Sequence, residues 1–99
     1  MVTKERMRMN VDSFIAVDLE TTGLQPQKDF IIEIGALKYV DGECVETFST
    51  LVKPPISISR NIYDITGIDD EMVADAPAVS DAFMDFLKFV GNETTLLGH

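Results

Sequence analysis

Blocks of apolar residues separated by polar turns predict a mixture of strands and helices. Residues 14–17 are uniformly apolar, which is typical of a central strand buried on both faces. Residues 30–40 and 44–52 are rich in β-branched and aromatic residues and predict two more strands. The Asp41-Gly42 dipeptide between them is a strong two-residue hairpin signal. We therefore expect one strand followed by an antiparallel hairpin.

Helical signals follow the hairpin. Ser59 is a good N-cap, Gly67 a good C-terminal stop, and Asp69 a cap for a further short turn. Pro77 is expected to open a longer helix. The apolar positions of that helix form one stripe at helical spacing: Val79, Phe83, Phe86 and Val90. Residues 94–99 predict a fourth strand, so the fold class is α/β with a mixed sheet.

Two carboxylates lie where the first apolar run ends. Asp18 and Glu20 are two residues apart, so the alternation of a strand aims both at one face. Their Cα atoms are then about 6–7 Å apart, because each residue rises about 3.3 Å. Carboxylates that close can both reach two divalent cations roughly 3.5–4 Å apart, the spacing used to cut phosphodiesters. Without a cation they would repel each other and be hard to bury. Asp18 and Glu20 are therefore the candidate metal ligands and catalytic residues.

The residues that follow the pair suit a ligand site. Thr21 and Thr22 are small and polar, and Gly23 tolerates a positive φ that would let the backbone approach a ligand closely. Ligand crevices of open mixed sheets also lie at strand ends. Acidic residues at strand ends are usually solvated, and a D-x-E motif alone is weak. The surrounding residues favour the functional interpretation.

Composition sets the broad class. The 99 residues suit one domain, and a hydrophobic fraction of 45% is ordinary for a folded core. We expect residues 1–12 to be a flexible leader and residues 13–99 to be part of a single domain. The apolar stretches are too short to span a bilayer. Cys44 is the only cysteine, which excludes an internal disulfide and favours a reducing cytoplasm.

The net charge of −9 bears on the nature of any substrate. A polyanion such as DNA is normally bound by a basic surface, because phosphate contacts dominate the affinity. Two bound divalent ions would reverse the charge locally while leaving the rest of the surface acidic.

The segment of residues 14–24 closely resembles the first motif of the DEDD-type (DnaQ-like) 3′–5′ exonucleases. That family is typified by the proofreading epsilon subunit of bacterial DNA polymerase III, and the spacing looks most like the Gram-positive polymerase III type. The resemblance continues, in order, through three further segments: Ile31-Ile32-Glu33-Ile34-Gly35-Ala36, Ile65-Thr66-Gly67-Ile68 and Leu97-Gly98-His99. It implies a ribonuclease H-like fold.

The resemblance also implies a mechanism and two Mg²⁺ or Mn²⁺ ions. Asp18 would bridge both ions, and Glu20 would hold the one that activates water. The reaction would hydrolyse the terminal phosphodiester of DNA and release a nucleoside 5′-monophosphate, as in proofreading during replication. The implied partners are a single-stranded or frayed DNA 3′ end and subunits of DNA polymerase III. The segment implied to bind the terminal nucleotide is Thr21, Thr22, Gly23 and Leu24.

His99 matches the histidine that begins the second motif of the family, so we group it with the substrate-binding residues and not with the general base. The aspartate that follows in that motif and the whole third motif are absent from this sequence. We expect the chain to be the N-terminal half of an exonuclease domain and to be inactive by itself.

Three alternatives stay open at this point. A buried strand that ends in D-x-[DE]-x-T also resembles haloacid dehalogenase-type phosphatases, in which Asp18 would be a covalent nucleophile. Glu20 replaces the usual second aspartate there, and a hairpin follows where a helix is expected. The chain could instead be a non-catalytic interaction module, or an exonuclease of the same fold that acts on RNA.

Overall fold

A computed structural model describes residues 13–25, 27–92 and 95–98, and these form four strands and three helices. In chain order the elements are β1 (Ser13–Thr21), β2 (Ile31–Val40), β3 (Glu43–Leu51), α1 (Arg60–Thr66), α2 (Asp70–Val73), α3 (Val79–Val90) and β4 (Leu96–Gly98). The expected mixed α/β class is confirmed. The predictions for residues 1–12 and for His99 lie outside the described residues.

The strands form one mixed sheet in the order β3-β2-β1-β4. β1 runs antiparallel to β2 and parallel to β4, so it is an internal strand. The predicted hairpin joins β2 to β3 through Asp41 and Gly42, whose φ angles of 53° and 82° are both positive. Two consecutive positive φ angles are the signature of a type I′ turn, which matches the twist of the flanking strands.

Helix α3 packs on one face of this sheet. Residues directly opposite each other in an antiparallel pair share a face, and Val17 pairs with the buried Ala36. The main core joins this face to α3 through buried apolar side chains: Ile15, Ile34, Ala36, Val52, Ala82, Phe86 and Val90. A smaller cluster ties β2 to the segments around α1 and α2: Ile32, Ile68 and Val73.

The opposite face of β1 is not buried among the described residues, contrary to the expectation for residues 14–17. Ala16 is half-buried and Asp18 is exposed on that face, because no described helix packs there. The continuous apolar run therefore indicates an internal strand here, but among the described residues only one of its two faces is covered by a helix.

Helix ends agree with the sequence at α1 and differ at α3. The Ser59 hydroxyl accepts a hydrogen bond from the Ile62 amide, and Gly67 ends α1 in the left-handed region with a φ of 76°. Helix α3 begins at Val79 with Ala78 at the N-cap, so Pro77 lies outside the helix and does not open it.

The apolar stripe predicted for α3 is only half correct. Phe86 and Val90 are buried with Ala82, whereas Val79 is 50% exposed and Phe83 is 51% exposed. Ala82 is fully buried in the main core, so the side of α3 that contains Ala82 packs on the sheet. Within the part of the chain described, no helix has both the length and the apolar character needed to cross a bilayer.

Candidate active site

The strand register puts the two candidate carboxylates on one face of the sheet. Asp18 lies opposite Gly35 and Glu20 lies opposite Glu33 in the β1–β2 ladder. Ile15 and Val17 both pack on the face of the sheet that α3 covers. Because side chains alternate along a strand, Asp18 and Glu20 point to the opposite face, which no described helix covers and which we call the open face. Asp18 is exposed and Glu20 is half-buried. Both carboxylates can therefore be reached from solvent on the same side.

The donor set fits a hard divalent cation. Carboxylate oxygens suit Mg²⁺ and Mn²⁺, and Mg²⁺ is commonly held by one or two carboxylates together with water and substrate phosphates. Among the described residues, no group of three or more histidine, cysteine, aspartate or glutamate side chains could hold a metal. Asp18 and Glu20 could supply two ligands, and the remaining coordination positions would require other groups.

Space beside Asp18 is available because its cross-strand partner, Gly35, has no side chain. A cleft of about 450 Å³ opens along this part of the sheet. Its lining comes from three neighbouring strands: Ala16, Val17, Asp18, Gly35, Ala36, Leu37, Thr47, Phe48 and Ser49. A ligand can approach the carboxylate from this side without displacing a described helix.

A third carboxylate faces Glu20. Glu33 is its direct partner across the ladder, and both side chains are half-buried. Like charges directly opposite each other destabilise a sheet. A β-bulge follows at once, so that Thr21 pairs with Ile31 and not with Ile32. Bulges of this kind re-aim the chain and are common beside active sites.

We predict that Glu33→Gln stabilises the protein when divalent ions are absent. The substitution removes the repulsion across the ladder, so we expect the free energy of local opening to rise by about 0.2–1 kcal/mol. Hydrogen exchange of the β2 amides in EDTA measures this change. Glu46→Gln is the matched control, because Glu46 faces Lys38 in the same sheet at 3.7 Å and its loss should have the opposite sign. An unchanged or lower free energy for Glu33→Gln would contradict the repulsion.

The loop after β1 is held by its own hydrogen bonds. The Thr22 hydroxyl donates to Asp29 Oδ1 at 2.9 Å and accepts from the Phe30 amide at 2.9 Å. The Thr21 hydroxyl donates to the Gly23 carbonyl. Both hydroxyl protons are therefore used inside the loop, and each oxygen keeps only accepting capacity for a ligand. Leu24 follows these hydrogen-bonded residues, and its side chain is 97% exposed.

Gly23 suits this position for a reason other than the predicted one. Among the described residues it is not one of the glycines with positive φ, which are Gly42, Gly67 and Gly91. Instead, a Cβ atom on Gly23 would lie 2.5 Å from Asp29 Oδ2. A side chain at position 23 would therefore force the Asp29 carboxylate to move.

Asp29 is the loop residue that the sequence analysis missed. The segment before β2 is polar, which is typical of an exposed connection, but Asp29 is half-buried and bonds two residues of the loop. Aspartate side chains commonly bond nearby backbone in turns, but this general tendency does not single out Asp29 in the sequence. A second cleft of about 450 Å³ lies beside it, lined by Thr21, Gly23, Leu24, Gln25, Asp29 and Ile31.

Residues 15–99 match the profile of the family described as Exonuclease. The chain is 46% identical over 80 residues to the PolC-type DNA polymerase III of Thermotoga petrophila, covering 81% of this chain and 6% of that protein. It is 38% identical over 82 residues to the PolC-type enzyme of Bacillus subtilis, covering 83% and 6%. The chain thus spans about 6% of the length of the curated relatives that it matches.

Solved structures agree with this match. Exonuclease X in complex with 5′ overhanging duplex DNA superposes with a TM-score of 0.72 at 31% identity, covering 87% of this chain and 48% of that one. The nuclease domain of 3′hExo, a DEDDh family member bound to rAMP, superposes with a TM-score of 0.70 at 25% identity, covering 88% and 51%.

The chain belongs to the exonuclease family of nucleic-acid hydrolases and has a ribonuclease H-like fold. The family is dependent on divalent metal ions. The family and fold that the sequence predicted are confirmed, and the match gives the haloacid dehalogenase alternative no support. The roles assigned to Asp18, Glu20, the segment 21–24 and His99 stay predictions.

Proposed function

We propose that this chain supplies part of the active site of a 3′–5′ exonuclease that removes nucleotides from the end of DNA. The observation that carries the proposal is the same-face pair of Asp18 and Glu20 at the end of an internal strand, reachable from the open face of the sheet. Products would be nucleoside 5′-monophosphates.

Asp18 and Glu20 would hold two divalent ions, Mg²⁺ or Mn²⁺. Such ions, when bound, polarise the phosphodiester and lower the pKa of water for in-line attack. The chain's own residues do the rest of the positioning. The segment 21–24 receives the terminal nucleotide beside Glu20, and the exposed side chain of Leu24 is free to act as an apolar wedge against its base. His99 would contribute on the substrate side of the site.

The choice of DNA, and a role in proofreading, are supported by the relatives. The matched proteins are PolC-type DNA polymerases III, and the Exonuclease X structure contains duplex DNA. We therefore propose a single-stranded or frayed DNA 3′ end as the substrate and DNA polymerase III subunits as partners.

The lone exposed Cys44 suits a reducing cytoplasm. Residues 13–99 would form the N-terminal part of one exonuclease domain, preceded by a leader at residues 1–12.

RNA is the second candidate substrate. The 3′hExo nuclease domain was solved with rAMP bound, and its TM-score with this chain is 0.70. Recognition of a 2′-hydroxyl would distinguish RNA from DNA at such a site. Equal or faster removal of nucleotides from an RNA 3′ end would favour this candidate.

The direction of cleavage and the metal requirement test the proposal. With the protein expressed from its complete gene, a 5′-labelled DNA strand should shorten stepwise while nucleoside 5′-monophosphates accumulate. EDTA should abolish the reaction, and Mg²⁺ or Mn²⁺ should restore it, because the proposed site uses carboxylates to hold divalent ions that activate water. Circular single-stranded DNA, which has no 3′ end, is the matched control and should stay intact. Internal cuts in the circle would contradict the exonuclease assignment. The isolated 99-residue chain is expected to be inactive in the same assay.

A further inference from the structure

We propose that Asp29 is a positioning residue for substrate binding, which holds the segment 21–24 in the shape that receives the 3′-terminal nucleotide. This inference rests on the proposed exonuclease function and adds to it a residue outside the first motif. Asp29 lies just before β2, eight residues beyond Thr21 in the sequence, yet it contacts the centre of that segment.

The two oxygens of Asp29 hold two different parts of the loop. Oδ1 accepts the Thr22 hydroxyl proton at 2.9 Å, and Oδ2 accepts the Gln25 amide proton at 2.8 Å. The Asp29 amide donates in turn to the Gln25 carbonyl at 2.8 Å. Hydrogen bonds to an ionised carboxylate are stronger than neutral ones. One side chain thus bridges the residues on both sides of Gly23 and Leu24.

The same carboxylate occupies the space in which a side chain at position 23 would lie. A Cβ atom on Gly23 would be 2.5 Å from Oδ2 and 2.8 Å from Cγ of Asp29. The carboxylate could yield only by giving up its bonds to Thr22 and Gln25. Gly23 and Asp29 are therefore complementary parts of one arrangement.

This arrangement is joined to the sheet that carries the carboxylates. The Thr22 amide donates to the Phe30 carbonyl at 2.9 Å, and the Phe30 amide donates to the Thr22 hydroxyl at 2.9 Å. Thr22 is two residues from Glu20 along the chain. Because the Leu24 side chain is 97% exposed, its position depends on the backbone around it. Asp29 consequently sets where Leu24 stands relative to Asp18 and Glu20.

Kinetics of Asp29→Ala test the proposal in the protein expressed from its complete gene. A misplacement of about 1 Å can cost about a hundredfold in rate, so we expect kcat/KM on single-stranded DNA to fall by about 10- to 100-fold. Most of the loss should be a higher KM, since the segment binds substrate but holds no reacting group. Asp29→Asn keeps one acceptor and should lose less. Asp85→Ala, which removes an exposed aspartate from α3, is the matched control and should behave as wild type.

Suppression gives a second, independent test. Gly23→Ala alone should raise KM about as much as Asp29→Ala, because its Cβ displaces the carboxylate. In the Asp29→Ala background, Gly23→Ala should raise KM by less than about twofold, because the effects of substitutions at two residues in contact do not simply add. Two losses that multiply would overturn the proposal.

Hydrogen exchange separates positioning from unfolding. Asp29→Ala should accelerate exchange at the Gln25 amide while the amides within β1 and β2 keep their protection. A wild-type enzyme that releases 3′-terminal nucleotides, with an unchanged KM in Asp29→Ala, would overturn this proposal alone. A wild-type protein that releases none would contradict the proposed function, and this proposal with it.

Discussion

Asp18→Asn and Glu20→Gln should each lower the rate of nucleotide release by about 10²- to 10⁴-fold. Several kcal/mol of transition-state charge stabilisation depend on correctly held metal ions. Each 1.36 kcal/mol of lost stabilisation lowers the rate about tenfold. The substitutions keep the size of each side chain and remove the negative charge that binds a cation. The loss should appear in kcat and kcat/KM together, since the interaction is made in the transition state.

The fold should survive both substitutions. Asp18 is exposed, Glu20 is half-buried, and neither carboxylate takes part in a hydrogen bond among the described residues. Hydrogen exchange of β1 and β2 should therefore match that of the wild type. Asp85→Asn makes the same chemical change on the exposed side of α3 and should retain full activity. Wild-type turnover by either Asp18→Asn or Glu20→Gln would reject the catalytic assignment.

Phe86→Ala should produce the largest loss of stability. Phe86 is 6% exposed and lies between α3 and the sheet, with its ring centroid 6.1 Å from that of Phe48. Truncating a buried phenylalanine leaves a cavity and typically costs about 3–5 kcal/mol. The expected result is a matching fall in the free energy of opening, measured by hydrogen exchange of the β1–β3 amides in increasing urea.

Phe83 provides a matched control for this prediction. It is the same residue type on the same helix and its ring centroid is 6.2 Å from that of Phe86, but it is 51% exposed. Phe83→Ala should therefore cost about 1 kcal/mol or less. Equal losses at the two positions would contradict the rotation of α3 in this structure.

Local sequence patterns predicted the parts of the fold that depend on neighbouring residues. The Asp41-Gly42 turn formed as expected because both residues tolerate the positive φ angles that a type I′ turn needs. Ser59 and Gly67 limit α1 through bonds that reach at most four residues along the chain. The family was likewise recognisable from short motifs in a fixed order.

Contacts between distant segments decided what the patterns left open. Helix α3 carries apolar side chains on most of its sides, so periodicity alone did not show whether the side with Ala82 or the side with Phe83 packs on the sheet. The close approach of Asp29 to Gly23 has no periodic signal in the sequence, so the pattern indicated only the backbone freedom of the glycine.

The sequence by itself determined the order of the elements, the family and the pairing of Asp18 with Glu20 on one face, because strand alternation and capping act over a few residues. Only the tertiary structure decided which face of the sheet stays open and which residue shapes the loop beside the carboxylates. Both features depend on packing between segments that are far apart in the sequence. A local sequence pattern contains no information on the steric fit at such contacts.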